Sequence, residues 1–307
     1  MAETRDMLVI GDAMVDAYLG TQPVGISDEA PVAVLDWVGL TRTFGGMMNV
    51  AASCAACGGV RIIGLIGEDE AGAFLRAEAE RLGMEAHWFT DGRPTTEKMR
   101  VLAGNQEAML ARIDVETTDP VDEAITRSML DAASRAMAHG GAILVSDYAK
   151  GAMSADLARD LLTAATQHSV PVIVDAKPET MEWYRSALLF TPNEREAREF
   201  AARRGIECGS IDDLGAAVAR ALDAAVLITR GAEGMTLFDR SGSRLAHSDA
   251  GAGQAVSTSG AGDVVIAAVG HALSAGRTLI EAVEFAAMCA AAAVARPGTC
   301  RIEAGDL

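Results

Sequence analysis

The sequence predicts an α/β fold: a doubly wound, mostly parallel sheet flanked by helices, with a small β-sheet lid set apart from it. Three observations carry this. Short β-branched apolar runs alternate with helical stretches along most of the 307 residues, the period of a layered βα fold. Most of those runs are apolar throughout rather than at every second residue, as in parallel strands covered on both faces. Two stretches, 13–44 and 86–115, break the period with short alternating runs and turns.

In chain order, MLVIGD (7–12), VRIIGLIG (60–67), AILVSDYA (142–149), VPVIVDAK (170–177), LLFTPN (188–193) and AVLITRG (225–231) read as strands ending in turn-forming or polar residues. Helical patterns occupy 49–57, 70–82, 122–138, 153–167, 194–204 and 212–223, followed by two Ala-rich helices at about 263–275 and 279–295. PVAVLDWVGL, AHWFTDG, TEKMRVLAG and AMLARIDVE supply the lid strands. There is no internal repeat or linker, so residues 1–307 form one domain with the lid segments inserted.

Half the residues are hydrophobic but only 4% are aromatic, so the core is built from Ala, Val, Leu, Ile and Met. Asp and Glu number 43 against 26 Lys and Arg, a net charge of −17. That excess argues against nucleic acid or an anionic membrane as partner, and an anionic substrate would need a locally basic pocket. No apolar run reaches the roughly 18–20 residues of a membrane span. The N-terminus lacks the basic start and apolar stretch of a signal peptide. The five cysteines have no framework spacing, which suits the reducing cytoplasm. CAAC (54–57) lies in an Ala-rich helical pattern and reads as core packing, and the five histidines form no cluster. Only three basic residues are lysine: Lys98, Lys150 and Lys177.

Ligands of open parallel sheets bind beyond the carboxyl ends of the strands. There the sequence places Asp12 and Asp16, Asp147, Tyr148 and Lys150, Asp175 and Lys177, Thr191, Asn193, Glu194 and Glu196, and Thr229 and Arg230. Any one of them reads as a cap or turn residue; polar groups at every strand end together mark a binding edge. STSGAGDVV (257–265) adds a glycine turn that opens a helix, with one carboxylate in the first turn. Free N–H groups there suit a phosphate, and Asp263 is placed to accept a proton from an attacking alcohol. No Gly-Lys-Ser/Thr follows, so this is not a Walker A loop.

These residues carry a resemblance. GAGD, FGGMMNVA (44–51), NERE (193–196) and GDAMVD (11–16) resemble the signatures of the ribokinase-like (PfkB) carbohydrate kinases. ISDEAPVAV (26–34), TTEKMRVLAGNQ (95–106), ARIDVE (111–116), SDYAKGA (146–152) and LLFTPNEREA (188–197) are most similar to the bacterial heptose-7-phosphate kinases of that family. The resemblance runs from about residue 7 to 300. It implies an ATP-dependent kinase acting on the anomeric hydroxyl of a heptose 7-phosphate, with Asp263 as base and Gly260, Ala261 and Gly262 as anion hole. Asp16, Gly46, Asn49, Lys98, Arg100, Arg112, Asp147 and Lys150 would bind the sugar. Lys177, Asn193, Glu196, Thr229, Arg230, Gly231 and Gly234 would face the nucleotide, with Asn193 and Glu196 reaching Mg²⁺ through water. That branch often carries a fused nucleotidyltransferase; with the chain ending at Leu307, none is expected. The apolar lid strands imply a homodimer joined through the lids.

The departures loosen the substrate reading. Ser257 and Ser259 stand where the family has Asp-x-Thr, which weighs against monovalent-cation activation. Met47 and Met48 replace small residues and would narrow the sugar pocket. Gly25 stands where the heptose branch has arginine. Two alternatives therefore stay open: a kinase of another small alcohol (an unphosphorylated sugar, a nucleoside or a sugar acid), or a weakly active or non-catalytic sugar-binding homologue.

Overall fold

The computed structural model describes residues 6–104, 108–250 and 255–306. The signal-peptide reading of the first five residues, and Asn105 and Gln106 of the lid segment, lie outside the described residues. In chain order the strands are β1 (Met7–Gly11), β2 (Ala13–Ile26), β3 (Ala33–Gly46), β4 (Val60–Leu65), β5 (Glu85–Phe89), β6 (Thr96–Ala103), β7 (Ala108–Val115), β8 (Ile143–Asp147), β9 (Val172–Ala176), β10 (Leu189–Phe190), β11 (Ala225–Thr229), β12 (Met235–Phe238) and β13 (Arg244–Ser248). The helices are α1 (Met47–Cys57), α2 (Glu70–Arg81), α3 (Glu123–Met137), α4 (Ala155–His168), α5 (Glu194–Arg203), α6 (Ile211–Leu222), α7 (Ala261–Ser274) and α8 (Leu279–Val294).

The large sheet has the order β13-β12-β11-β10-β9-β8-β1-β4-β5 and is parallel except for β12 and β13. Its strands are apolar throughout because both faces are covered. Val9, Ile62 and Leu144 face the layer of α1, α2, α7 and α8. Ile10, Ile63 and Val145 face the layer of α3–α6. All six side chains are fully buried. The small sheet, β3-β2-β6-β7, grows directly out of the large one: β2 starts two residues after β1 ends, and β3 runs straight into α1.

Two features differ from the expectation. AHWFTDG does not join the lid; its strand is β5, paired parallel to β4 with His87 opposite Ile63. An edge strand is half-exposed and alternates as a lid strand does, so pattern alone does not separate them. The β12–β13 hairpin was not foreseen, being two short strands at the sheet edge.

Helix ends reveal where the chain expects company. Side chains cap the N-termini of α2 (Asp69), α3 (Asp122), α4 (Ser154), α5 (Asn193), α6 (Ser210) and α8 (Thr278). Helices α1 and α7 begin instead at Gly46 and Gly260, both with positive φ and no side-chain cap. A Cβ on Gly46 would lie 2.5 Å from the Asp12 carbonyl oxygen, so glycine is what lets α1 start against the end of β1.

Asp12 ties this corner together. Its buried carboxylate accepts the backbone N–H groups of Tyr148 (2.7 Å), Lys150 (3.0 Å) and Ala152 (3.1 Å). Asp12→Ala would leave three N–H groups without an acceptor, each worth about 1–3 kcal/mol where water cannot replace it. The expected loss in urea denaturation is roughly 3 kcal/mol, with faster hydrogen exchange over 148–152; wild-type stability would contradict this role.

Candidate active site

Asp263 lies in the first turn of α7, only 6% exposed. Asn49, on α1, donates its Nδ2–H to Asp263 Oδ2 (2.8 Å) and to the Cys300 carbonyl (3.1 Å). Tyr148 donates its hydroxyl to Asp263 Oδ1 (3.4 Å). Burial is the largest influence on the carboxyl and pushes its pKa up to about 6, against the lowering effect of Asn49, Tyr148 and Lys177. The Asp263 charge, with burial, holds the Tyr148 phenol far above its usual range, so it stays a donor.

Gly260 has φ 82°, and a Cβ there would meet Asn49 Nδ2 at 2.6 Å and the Cys300 carbonyl at 2.9 Å. The expected anion hole needs one correction. Ala261 donates its N–H to the Thr258 carbonyl (3.2 Å). Among the described residues the N–H groups of Gly260, Gly262 and Asp263 itself have no protein acceptor and are the ones open to an anion. The preceding loop is strapped to the 294–300 segment by Ser257 N–H to Val294 (3.2 Å) and Cys300 N–H to Ser259 (2.7 Å). Cys300 Sγ also donates to the Ser257 carbonyl (3.3 Å).

Lys177 follows β9 and continues the polar chain. Its ammonium sits 4.7 Å from the centre of the Tyr148 ring and 2.6 Å from Glu196 Oε1. Glu196 Oε2 accepts the Asn193 N–H while Asn193 Oδ1 accepts the Glu196 N–H, a capping box at the start of α5. Thr229 joins Asn193 through a parallel bridge. Asp175 lies at the floor of the same cleft with no hydrogen-bond donor among the described residues. Burial, then the Glu196 and Asp263 charges, push its pKa up to about 7. Arg230 turns aside: its guanidinium pairs with Glu194 (3.1 Å) and Glu233. Gly231 and Gly234 take positive φ in the turn before β12, where a side chain on Gly234 would collide with the Ser248 carbonyl.

The lid brings its polar face to this cleft. Asp16 stands opposite Thr43 and Lys98, and Lys98 opposite Asp114; two residues on, Tyr18, Thr41, Arg100 and Arg112 share that face. The expected cations are all ion-paired. Arg100 meets Asp16 at 2.6 Å, Lys98 meets Glu116 at 3.1 Å, Lys150 meets Glu116 at 2.9 Å, and Arg112 meets Asp114 at 2.8 Å. Two expectations fail outright. Asp147 does not face the cleft; it is buried and its oxygens accept Tyr184 Oη (2.7 Å) and Ala149 N–H (2.8 Å). Met47 and Met48 do not narrow the sugar pocket, because both are fully buried in the core beside α7.

A hollow of about 230 Å³ opens beside Asn49, bounded by Thr43, Phe44, Arg296, Cys300 and Arg301. A larger one, about 550 Å³, lies at the opposite ends of the strands near Val172, Leu188 and Ala225. Neither hollow is lined by Asp263 or Tyr148; the smaller one adjoins their cluster through Asn49, whose amide also holds Asp263.

This arrangement has relatives. Residues 4–304 match the model of the pfkB family carbohydrate kinases. The chain belongs to that family. It is 41% identical over its whole length to the bifunctional protein HldE of Azorhizobium caulinodans, covering 65% of that protein. It is 36% identical to the D-beta-D-heptose 7-phosphate kinase of Bordetella bronchiseptica, over 98% of this chain and 94% of the relative. Against the bifunctional relatives it thus spans less than two thirds of their length. Phosphofructokinase-2 from Escherichia coli superposes with a TM-score of 0.77 at 19% identity, covering 98% of this chain and 96% of the other. The Arabidopsis thaliana ribokinase structure with ribose and ATP gives 0.74 at 21% identity, covering 99% and 97%. The fold is therefore ribokinase-like.

Three residues of this cleft are not singled out by the sequence. Tyr148 and Asp175 were seen only as strand-end polar residues, and nothing in their spacing marks contact with Asp263 or the cleft floor. Asp12 looked like a turn residue; its three N–H partners lie more than 130 positions away.

Proposed function

We propose that this chain is an ATP-dependent kinase of a phosphorylated sugar, a heptose 7-phosphate or close analogue, and that it transfers the γ-phosphoryl group to the anomeric hydroxyl. The observation that carries the reading is Asp263: a buried carboxylate poised near pH 6, beside unsatisfied N–H groups at an uncapped helix start. Asp263 takes the proton from the sugar hydroxyl as that oxygen attacks phosphorus. The N–H groups of Gly260, Gly262 and Asp263 stabilise negative charge on the transferring group. Asn49 orients the base, and Lys177 stands toward the nucleotide phosphates. Both Glu196 oxygens are engaged by Lys177 and Asn193, which fits contact with Mg²⁺ through water. Mg²⁺, when bound, neutralises phosphate charge.

The heptose assignment is supported by the Bordetella relative, which matches along nearly the whole of both chains, and by four cations gathered at the lid of an acidic protein. Their existing ion pairs favour a second reading, an unphosphorylated sugar. The assembled contacts among Asp263, Asn49 and Tyr148 support catalysis over a non-catalytic sugar-binding role. An ATP-dependent reaction and five free cysteines fit the cytoplasm, and no helix among the described residues is long and apolar enough to cross a membrane.

Asp263→Asn is expected to lower kcat by at least about a hundredfold, the scale of losing a positioned base, with nucleotide affinity little changed. In the wild type the base must be ionised, so kcat/KM should fall as pH drops through about 6 and level off above. Near-normal turnover of the variant would sink the assignment.

Two copies are proposed to pair through their lids. Ile26, Trp37, Val38, Met109 and Ile113 are more than half exposed and all lie on lid strands. A sheet with so apolar a surface is an aggregation hazard unless covered. Light scattering at micromolar concentration is expected to give twice the chain mass, and Trp37→Glu to shift it toward one; a wild-type monomer would contradict the pairing.

A further inference from the structure

Two of the three lysines converge on one carboxylate. Glu116 lies just past β7; its Oε2 is 3.1 Å from Lys98 Nζ and its Oε1 is 2.9 Å from Lys150 Nζ. Lys98 comes from lid strand β6, whereas Lys150 comes from the loop that Asp12 fixes to the large sheet. The three side chains are 18%, 19% and 28% exposed, partly shielded and open to solvent.

The geometry points to Glu116 as a resident counter-ion in the sugar-phosphate subsite: its carboxylate holds Lys98 and Lys150 where a phosphate would meet them and yields to that phosphate on binding. The inference rests on the phosphorylated-sugar reading above. The carboxylate gives one oxygen to each lysine, as two oxygens of a phosphate would. Lysine suits such an exchange, since its ammonium has three donors and no fixed plane, unlike the arginine this chain otherwise prefers. The charges agree. Lys98, Arg100, Arg112 and Lys150 face Asp16, Asp114 and Glu116, one positive charge in excess. With Glu116 swung away the excess is two, which matches a phosphate monoester near neutral pH. Movement is cheap, because Glu116 follows the last paired residue of β7 and its departure breaks no strand ladder. The two lysines hold the Glu116 carboxyl below its usual pKa range, so it is an anion whenever it sits there.

Glu116 is then a positioning and selecting residue. It keeps Lys98 and Lys150 together in the absence of substrate and weakens the subsite for every anion that cannot displace it. It also links lid to large sheet, so its replacement by substrate phosphate moves the same bridge onto the ligand.

The test is calorimetric binding of inorganic phosphate at fixed ionic strength to the full chain, the Glu116→Gln variant and the double variant Glu116→Gln/Lys150→Met. Removing the competing anion is expected to tighten phosphate binding about tenfold or more, the scale of one charge-assisted contact, and the second substitution to erase the gain. In the kinase assay, Glu116→Gln should lower KM for the sugar phosphate and leave KM for the unphosphorylated sugar alone. A folded Glu116→Gln protein, with its wild-type unfolding midpoint, that binds phosphate no better than the wild type overturns the counter-ion role. So does a higher KM for the sugar phosphate, which would make Glu116 a direct substrate ligand. If the wild type prefers an unphosphorylated sugar while the variant still gains phosphate affinity, the substrate assignment fails and the counter-ion role stands.

Discussion

The cleft depends on the bond between the Asp12 carboxylate and the backbone of residues 148–152. Three N–H groups from a loop more than 130 residues away converge on it. The loop therefore leaves β8 along one path, which aims the Tyr148 hydroxyl at Asp263 and presents Lys150 to the lid. The same corner requires glycine on both sides. Gly11 packs against the Ser146 carbonyl, and Gly46 starts α1 against the Asp12 carbonyl. Asn49, the other partner of Asp263, sits in the first turn of that helix.

The region shares the acidic character of the chain as a whole. The protein carries −17, and desolvation pushes the pKa values of Asp12, Asp175 and Asp263 up to about 6, 7 and 6. Beyond burial, Asp147 raises Asp12, and Glu196 and Asp263 raise Asp175, while Lys177 is the cation that offsets Asp175 and Asp263. The uncapped starts of α1 and α7 belong to the same design. Capping side chains satisfy the N-termini of the other helices, so the free N–H groups at α7 are left for a ligand.

Much of this was legible in sequence. Strands buried on both faces announce themselves by unbroken apolar runs, and Asp263, Asn193 and Glu196 stand in short motifs with fixed local geometry. What was not legible depended on contacts between distant residues. Strand β5 alternates like a lid strand, and only its pairing with β4 assigns it. Asp147 and Asp12 both end or follow strands, but one turns to Tyr184 and the other to a loop; spacing does not distinguish them. Met47 and Met48 follow a glycine pair, and the helix that starts there turns them into the core. The lid cations were visible as charges, but their carboxylate partners come from neighbouring strands and a separate loop.

The central claim is that the cleft phosphorylates a sugar that already bears a phosphate. ADP release, followed in a coupled assay over heptose 7-phosphates, other sugar phosphates, their unphosphorylated counterparts and nucleosides, tests it most directly. The account predicts the highest kcat/KM for a heptose 7-phosphate or close phosphorylated analogue, with unphosphorylated sugars far poorer. A higher kcat/KM for an unphosphorylated sugar or a nucleoside would contradict it.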